Sequence, residues 1–230
     1  MNTLLGPLAE TPPATERPRV TPIREQFPHT AVSPAASVHD EQIHALVQQL
    51  FLRHESGPVR HVGFSPVDAS TATATLCLEV AKTLAEEDRY DVGLIDAHSD
   101  SVPLQTHLRI PACPRPEPSW PIASRLWLVP RQSWRPDAGG PRTTDQNLSR
   151  LRELTTEFDF SILWCAPVSW LTASIGQACD GLVLVLHANR TRRLAAAQVK
   201  DQLSKAQVPL LGTVLAERRF PVPQGLYRSL

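Results

Sequence analysis

The chain has 230 residues, of which 42% are hydrophobic and 20% charged, a composition typical of one globular domain of ordinary size. Its 23 basic and 23 acidic residues balance to a net charge of zero without a dense run of either sign, which argues against nucleic acid or an anionic membrane surface as a partner. No apolar stretch reaches the roughly 18 residues that cross a bilayer, and no basic segment precedes an apolar one at the N-terminus, so we expect a cytoplasmic protein without direct membrane insertion.

The first 38 residues predict a disordered tail, because they hold seven prolines among Thr, Ser and Ala and show no hydrophobic periodicity. From Asp40 onward, apolar residues recur at the spacing of one helix face. They are Ile43, Leu46, Val47, Leu50 and Phe51. This stripe could pack on the core or meet a partner, and intramolecular packing is the preferred interpretation. We therefore divide the chain into a tail, 1–38, and a single domain, 39–230.

The next segment predicts a strand, a loop, an amphipathic helix and a second strand, which is the opening unit of a phosphate-binding fold. The strands are Val59–Phe64 and Asp91–Asp96, and the loop spans 65–75. Such a loop cradles phosphate with backbone N–H groups, which requires Gly, and with one Lys. This loop has neither. Each side chain forced into a left-handed conformation costs about 1–2 kcal/mol, so the sequence argues against tight ATP binding here.

Strands and helices continue to alternate after Asp96. We predict irregular structure over 110–142 apart from a strand at 125–129, and a helix capped by Thr144 or Asp145. Further strands are predicted at 160–165, 182–187 and 208–215, and a helix at 191–206. Because several strands are almost continuously apolar, the pattern predicts a doubly wound, mostly parallel α/β sheet, in which ligands lie at the carboxyl ends of the strands.

The four cysteines are Cys77, Cys113, Cys165 and Cys179. They form no CxxC pair and have no His at zinc-finger spacing. We therefore interpret them as buried reduced thiols and not as a metal site or disulfides.

Four segments in order carry a resemblance to a known family. They are LIDA at 94–97, FDFSILWCAPV at 158–168, CDGLVLVLHANRTRR at 179–193 and LLGTVLAERRFPVPQGLYRSL at 210–230. Together they resemble the cytoplasmic P-loop domain of bacterial tyrosine kinases of capsule and exopolysaccharide synthesis, within the wider group of septum-site and plasmid-partition ATPases. The resemblance covers 40–230 and implies a P-loop NTPase-like domain.

The resemblance also implies a phosphate motif, which this chain has lost. The family's Gly-rich sequence aligns with 70–75, where Ala72 takes the position of the last Gly and Thr73 that of the Lys. Ser70, Thr71 and Thr73 remain candidates for a hydroxyl-rich anion loop, since helix N-termini bind anions even without Lys. Simple helix capping is the preferred interpretation of these hydroxyl groups.

The two acidic motifs of the family survive only in part. Asp96 aligns with the acid that helps to hold Mg²⁺ and acts near the hydroxyl being phosphorylated, so it is the candidate nucleotide, metal and catalytic residue. It could instead satisfy backbone donors at the end of its strand, which is the preferred interpretation. His98 stands at the second acidic position and Trp164 at the third. We expect His98 to be a solvated loop residue and Trp164 to pack in the core.

Two further family features are absent. The kinases carry a C-terminal tyrosine cluster, whereas this chain has only Tyr90 and Tyr227. They assemble through a Glu-x-x-Arg-x-x-Arg helix, which would fall on Glu41, His44 and Val47. Only the Glu is kept, so we do not expect subunits to assemble through that contact. The sequence does not decide whether the protein forms an oligomer in another way.

Two main functional hypotheses follow. The preferred one is a non-catalytic, pseudoenzyme-like interaction or regulatory module of exopolysaccharide biosynthesis, without a cofactor. It would bind the cytoplasmic end of a membrane polysaccharide co-polymerase or chain-length protein, which would recruit it to the inner face of the membrane. The alternative is an active tyrosine kinase or ATPase that uses Mg-ATP or Mg-ADP through Asp96. A weaker third hypothesis is an inert subunit in a mixed assembly with a catalytically complete partner.

Overall fold

The structure of the protein is a computed structural model that describes residues 34–52, 59–69, 72–86, 89–98, 102–111, 117–135 and 143–217, with only the backbone given for 34–39. Several sequence-based predictions fall outside the described residues: residues 1–33 of the tail, Ser70 and Thr71 of the anion loop, Cys113, and Tyr227 with the C-terminal segment from 218. The remaining predictions can be compared with the structure directly.

Six α-helices and seven β-strands make up the described part of the chain. The helices are α1 Pro34–Val47, α2 Ala72–Glu86, α3 Leu104–His107, α4 Thr144–Thr155, α5 Trp170–Ala178 and α6 Arg193–Lys205. The strands are β1 His61–Pro66, β2 Val92–Ala97, β3 Trp120–Ala123, β4 Leu126–Val129, β5 Phe160–Cys165, β6 Gly181–His187 and β7 Leu210–Ala216. A short π-helix, Gln48–Leu52, continues α1, and a 3₁₀ turn, Arg131–Ser133, follows β4.

All seven strands belong to one sheet, in the order β3-β4-β2-β5-β1-β6-β7. Every neighbouring pair is parallel except β3 and β4. Every residue of β2 and β5 is buried, as expected for strands covered on both faces. One face packs against α1 and α2, and the other against α4, α5 and α6. The predicted doubly wound, mostly parallel α/β fold is confirmed.

The first helix begins at Pro34, earlier than the predicted start at Asp40. Its apolar stripe continues into the π-helical turn, and four of the five residues in the stripe are buried in the core that α2 and the sheet share: Ile43, Val47, Leu50 and Phe51. The ring of Phe51 contacts the edge of Phe160 on β5, with centroids 5.6 Å apart. The preferred interpretation, intramolecular packing, is confirmed.

The sequence prediction missed three short elements and placed one helix cap wrongly. The elements β3, α3 and α5 were not predicted. The cap of α4 is Thr143, one residue before the predicted Thr144. Its hydroxyl accepts the backbone N–H of Gln146, and the Gln146 side chain accepts the N–H of Thr143, which completes a capping box. Strands β1 and β7 each begin two residues later than predicted, at His61 and Leu210.

Three of the four cysteines are described, and all three are free thiols. Cys77 and Cys165 are fully buried, and burial raises the pKa of both well above the ordinary value. Cys179 keeps some exposure at the residue level, yet desolvation of its thiol, reinforced by neighbouring Asp180, raises its pKa to about 12. The interpretation as buried free thiols is confirmed for Cys77 and Cys165, whereas Cys179 is a free thiol that is only partly buried. Among the helices described, none is long and apolar enough to span a bilayer.

Candidate functional site

The sheet brings together the residues that the sequence singled out. Strand β5 lies between β2 and β1, so Trp164 is in register with Asp96 on one side and with Phe64 on the other. The carboxyl ends of these three parallel strands therefore share one edge of the sheet with the start of α2 at Ala72. This is the position at which doubly wound folds bind ligands.

Asp96 is buried, and each of its two carboxylate oxygens accepts a backbone hydrogen bond. Its Oδ1 accepts the N–H of His98 at 3.2 Å, and its Oδ2 accepts the N–H of Leu104, the first residue of α3, at 2.9 Å. Burial raises the pKa of the Asp96 carboxyl, while these two hydrogen bonds and the charges of Arg131 and His107 act in the opposite direction. The carboxylate thus holds the turn that leads into α3.

The indole of Trp164 fills the space beside Asp96. The ring of His98 stacks on it with centroids 4.2 Å apart and planes 21° from parallel, and His107 meets it edge-on at 5.0 Å. Trp164 is 2% exposed and belongs to the core, which confirms its predicted packing role. The prediction of a solvated His98 is wrong, because the residue is 7% exposed and contributes its aromatic surface to this stack.

Sequence reasoning missed three residues of this site. Trp134 is buried, and its indole N–H donates to the backbone carbonyl of Asp96 at 2.9 Å. Arg131 donates from Nη1 to the carbonyl of His98 at 3.4 Å. His107 comes from α3, an element the sequence did not reveal. The Trp and Arg lie just after β4, so only their position at the carboxyl end of a strand could have indicated them.

The loop between β1 and α2 carries a carboxylate where a phosphate loop presents donors. Asp68 accepts the hydroxyl of Thr191 at 2.7 Å, and that hydroxyl accepts the backbone N–H of His187 at 2.9 Å. Val67 also donates its N–H to the carbonyl of Val185 at 3.1 Å. These bonds tie the loop to the end of β6 and place a negative side chain within it.

Thr73, in the first turn of α2, is completely buried, and its Oγ1 has no hydrogen-bond partner within the described part of the chain. A threonine here supplies no ammonium group to neutralise a phosphate. Ser70 and Thr71, the other members of the predicted anion loop, lie outside the described residues.

The described residues do not fit a magnesium nucleotide. Mg²⁺ needs open carboxylate oxygens and room for several waters, whereas both oxygens of Asp96 accept backbone hydrogen bonds and the indole of Trp164 lies beside them. A triphosphate needs cationic and N–H donors, whereas the loop contributes Asp68. Within the described ranges, no group of three His, Cys, Asp or Glu side chains could hold a metal ion.

No family model and no curated protein sequence matches the chain. Solved structures do match. The chimerical protein CapA2B2 aligns over 80% of this chain and 84% of its own, with a TM-score of 0.63 and 13% identity. The VpsO kinase domain aligns over 80% and 98%, with a TM-score of 0.61 and 15% identity. The kinase domain of the Escherichia coli tyrosine kinase ETK aligns over 80% and 79%, with a TM-score of 0.59 and 13% identity.

A ParA family ATPase from Chlorobium tepidum and a MinC:MinD complex from Aquifex aeolicus are also among the matches. The resemblance to bacterial tyrosine kinases and to partition and septum-site ATPases is confirmed at the level of the fold. At identities below one fifth, such a likeness establishes the architecture and leaves the activity to be argued from the residues of the site.

Proposed function

We propose that this protein is a non-catalytic, tyrosine-kinase-like interaction module of exopolysaccharide biosynthesis. It binds the cytoplasmic end of a membrane polysaccharide co-polymerase or chain-length protein, which recruits it to the inner face of the membrane. In this proposal the P-loop fold is kept as a scaffold for partner binding, and the former nucleotide site serves the stability of the domain.

One observation supports the proposal above all others. Trp164 is stacked on His98 immediately beside the only retained acid of the nucleotide site, Asp96. An indole in van der Waals contact with an imidazole leaves no room for a hydrated cation, and removing it would open a cavity in the core. Asp68 in the loop and the buried Thr73 point in the same direction, because neither supplies a positive charge to a phosphate.

The partner is proposed from the fold of the neighbours. Two of the matching structures are the kinase domains of VpsO and of the tyrosine kinase ETK, and a third is the CapA2B2 chimera. The MinC:MinD complex is an example in which a protein of related fold binds a protein partner. In this chain Val47 is buried against the chain's own core, which argues against subunit assembly through the helix that carries Glu41, His44 and Val47.

Thermal unfolding in the presence of nucleotide tests whether the protein binds the nucleotide that catalysis would require. We expect the full-length protein to melt at the same temperature with and without millimolar Mg-ATP or Mg-ADP. A ligand present at about 100 times its Kd would stabilise the folded state by about 2.7 kcal/mol, which is readily measured. A reproducible rise in Tm with either nucleotide would instead support the alternative, an active kinase or ATPase with an unusual loop.

Turnover measurements on variants distinguish an activity of this protein from the activity of a contaminating enzyme. If the protein hydrolysed ATP or phosphorylated tyrosine, Asp96→Ala should abolish the activity, while Asp201→Ala on the exposed face of α6 should not. We expect no Mg²⁺-dependent turnover above background for the wild-type protein.

Co-purification tests the partner. We expect the chain to be retained by an immobilised cytoplasmic segment of the co-polymerase from the same cell, and not by a segment of equal length and charge with scrambled sequence. Equal retention on both would contradict the proposed partner.

A further inference from the structure

We draw no further inference here: the strongest candidate, the surface cavity of about 330 Å³ that Trp170 of α5 and Gln202 of α6 line, carries no proposal because nothing in the described part of the structure shows what occupies it.

Discussion

Trp164 shows how one side chain can decide what a shared fold is able to bind. It lies on the central strand β5, between β2, which carries Asp96, and β1, which leads into the loop. The imidazole rings of His98 and His107 contact its indole, and the side chain packs in the hydrophobic core that faces α2. A residue of the hydrophobic core therefore stands at the edge of the sheet where doubly wound folds bind ligands.

Replacing Trp164 should therefore cost far more stability than replacing an exposed tryptophan. We expect Trp164→Ala to lower the unfolding free energy in urea by about 3–5 kcal/mol, because it leaves a large buried cavity. Free indole should restore part of the loss by filling that cavity. Trp170→Ala is the matched control, since Trp170 is 68% exposed. A similar cost for both variants would show that Trp164 does not pack as described.

The buried carboxyl of Asp96 makes a pH-dependent contribution to stability. Its pKa in the folded protein is raised above the ordinary value of 3.8, chiefly by burial. Between that value and the folded pKa, the native state binds more protons than the unfolded state, so stability from this group falls as the pH rises and then levels off. Asp96→Asn removes the titration.

We expect the difference in unfolding free energy between wild type and Asp96→Asn to shift in favour of the variant as the pH rises through this range. Urea unfolding at a series of pH values measures it. The same comparison for Asp201→Asn, at an exposed position, gives the pH dependence expected when a solvent-exposed carboxyl is removed. A difference that shifts toward the wild type with rising pH would contradict the assignment of Asp96 as a net desolvated carboxyl.

At the scale of elements, periodicity predicted those that bury a continuous face. The apolar runs in β5 and β6 predicted these strands to within one residue of their observed bounds. The apolar spacing also predicted α2, but the helix begins at Ala72, inside the loop predicted over 65–75. Short elements were missed because tertiary contacts define them. The four-residue α3 begins where Leu104 donates its N–H to Asp96, and β3 exists only through its antiparallel pairing with β4. Neither interaction leaves a local sequence pattern.

Close packing between β2 and the segment after α4 gives a test at this scale. A Cβ added at Gly93 would lie 2.5–2.9 Å from ring atoms of Phe158, which is itself packed near Trp127. We expect Gly93→Ala to destabilise the protein by about 1–3 kcal/mol through overpacking. Gly212→Ala on the open edge strand should change stability by less than about 0.5 kcal/mol, and urea midpoints compare the two. Equal effects would contradict the described packing of Phe158.

At the scale of the whole molecule, the sequence predicted where the candidate site lies better than what fills it. A doubly wound sheet gathers its ligand-binding residues at the carboxyl ends of its strands, so the convergence of the β1 loop, Asp96 and Trp164 could be expected, although the strand order could not. The stacking of His98, the hydrogen bond from Trp134 and the tie between Asp68 and Thr191 could not. These contacts join residues far apart in the chain, and their geometry depends on how the helices settle on the sheet.

The two hydrophobic clusters lie on opposite faces of one sheet and share its strands, so they should unfold together. We expect the slowest-exchanging amides of α2 and of α4 to report the same unfolding free energy and the same dependence on denaturant in native-state hydrogen exchange. Helix α6 is an internal control, because it resembles α4 in length but Leu203 is its single buried residue. Its amides should exchange through local opening at a lower free energy. Should α4 instead open at a lower free energy than α2, the face built by α4, α5 and α6 would be a separate cooperative unit.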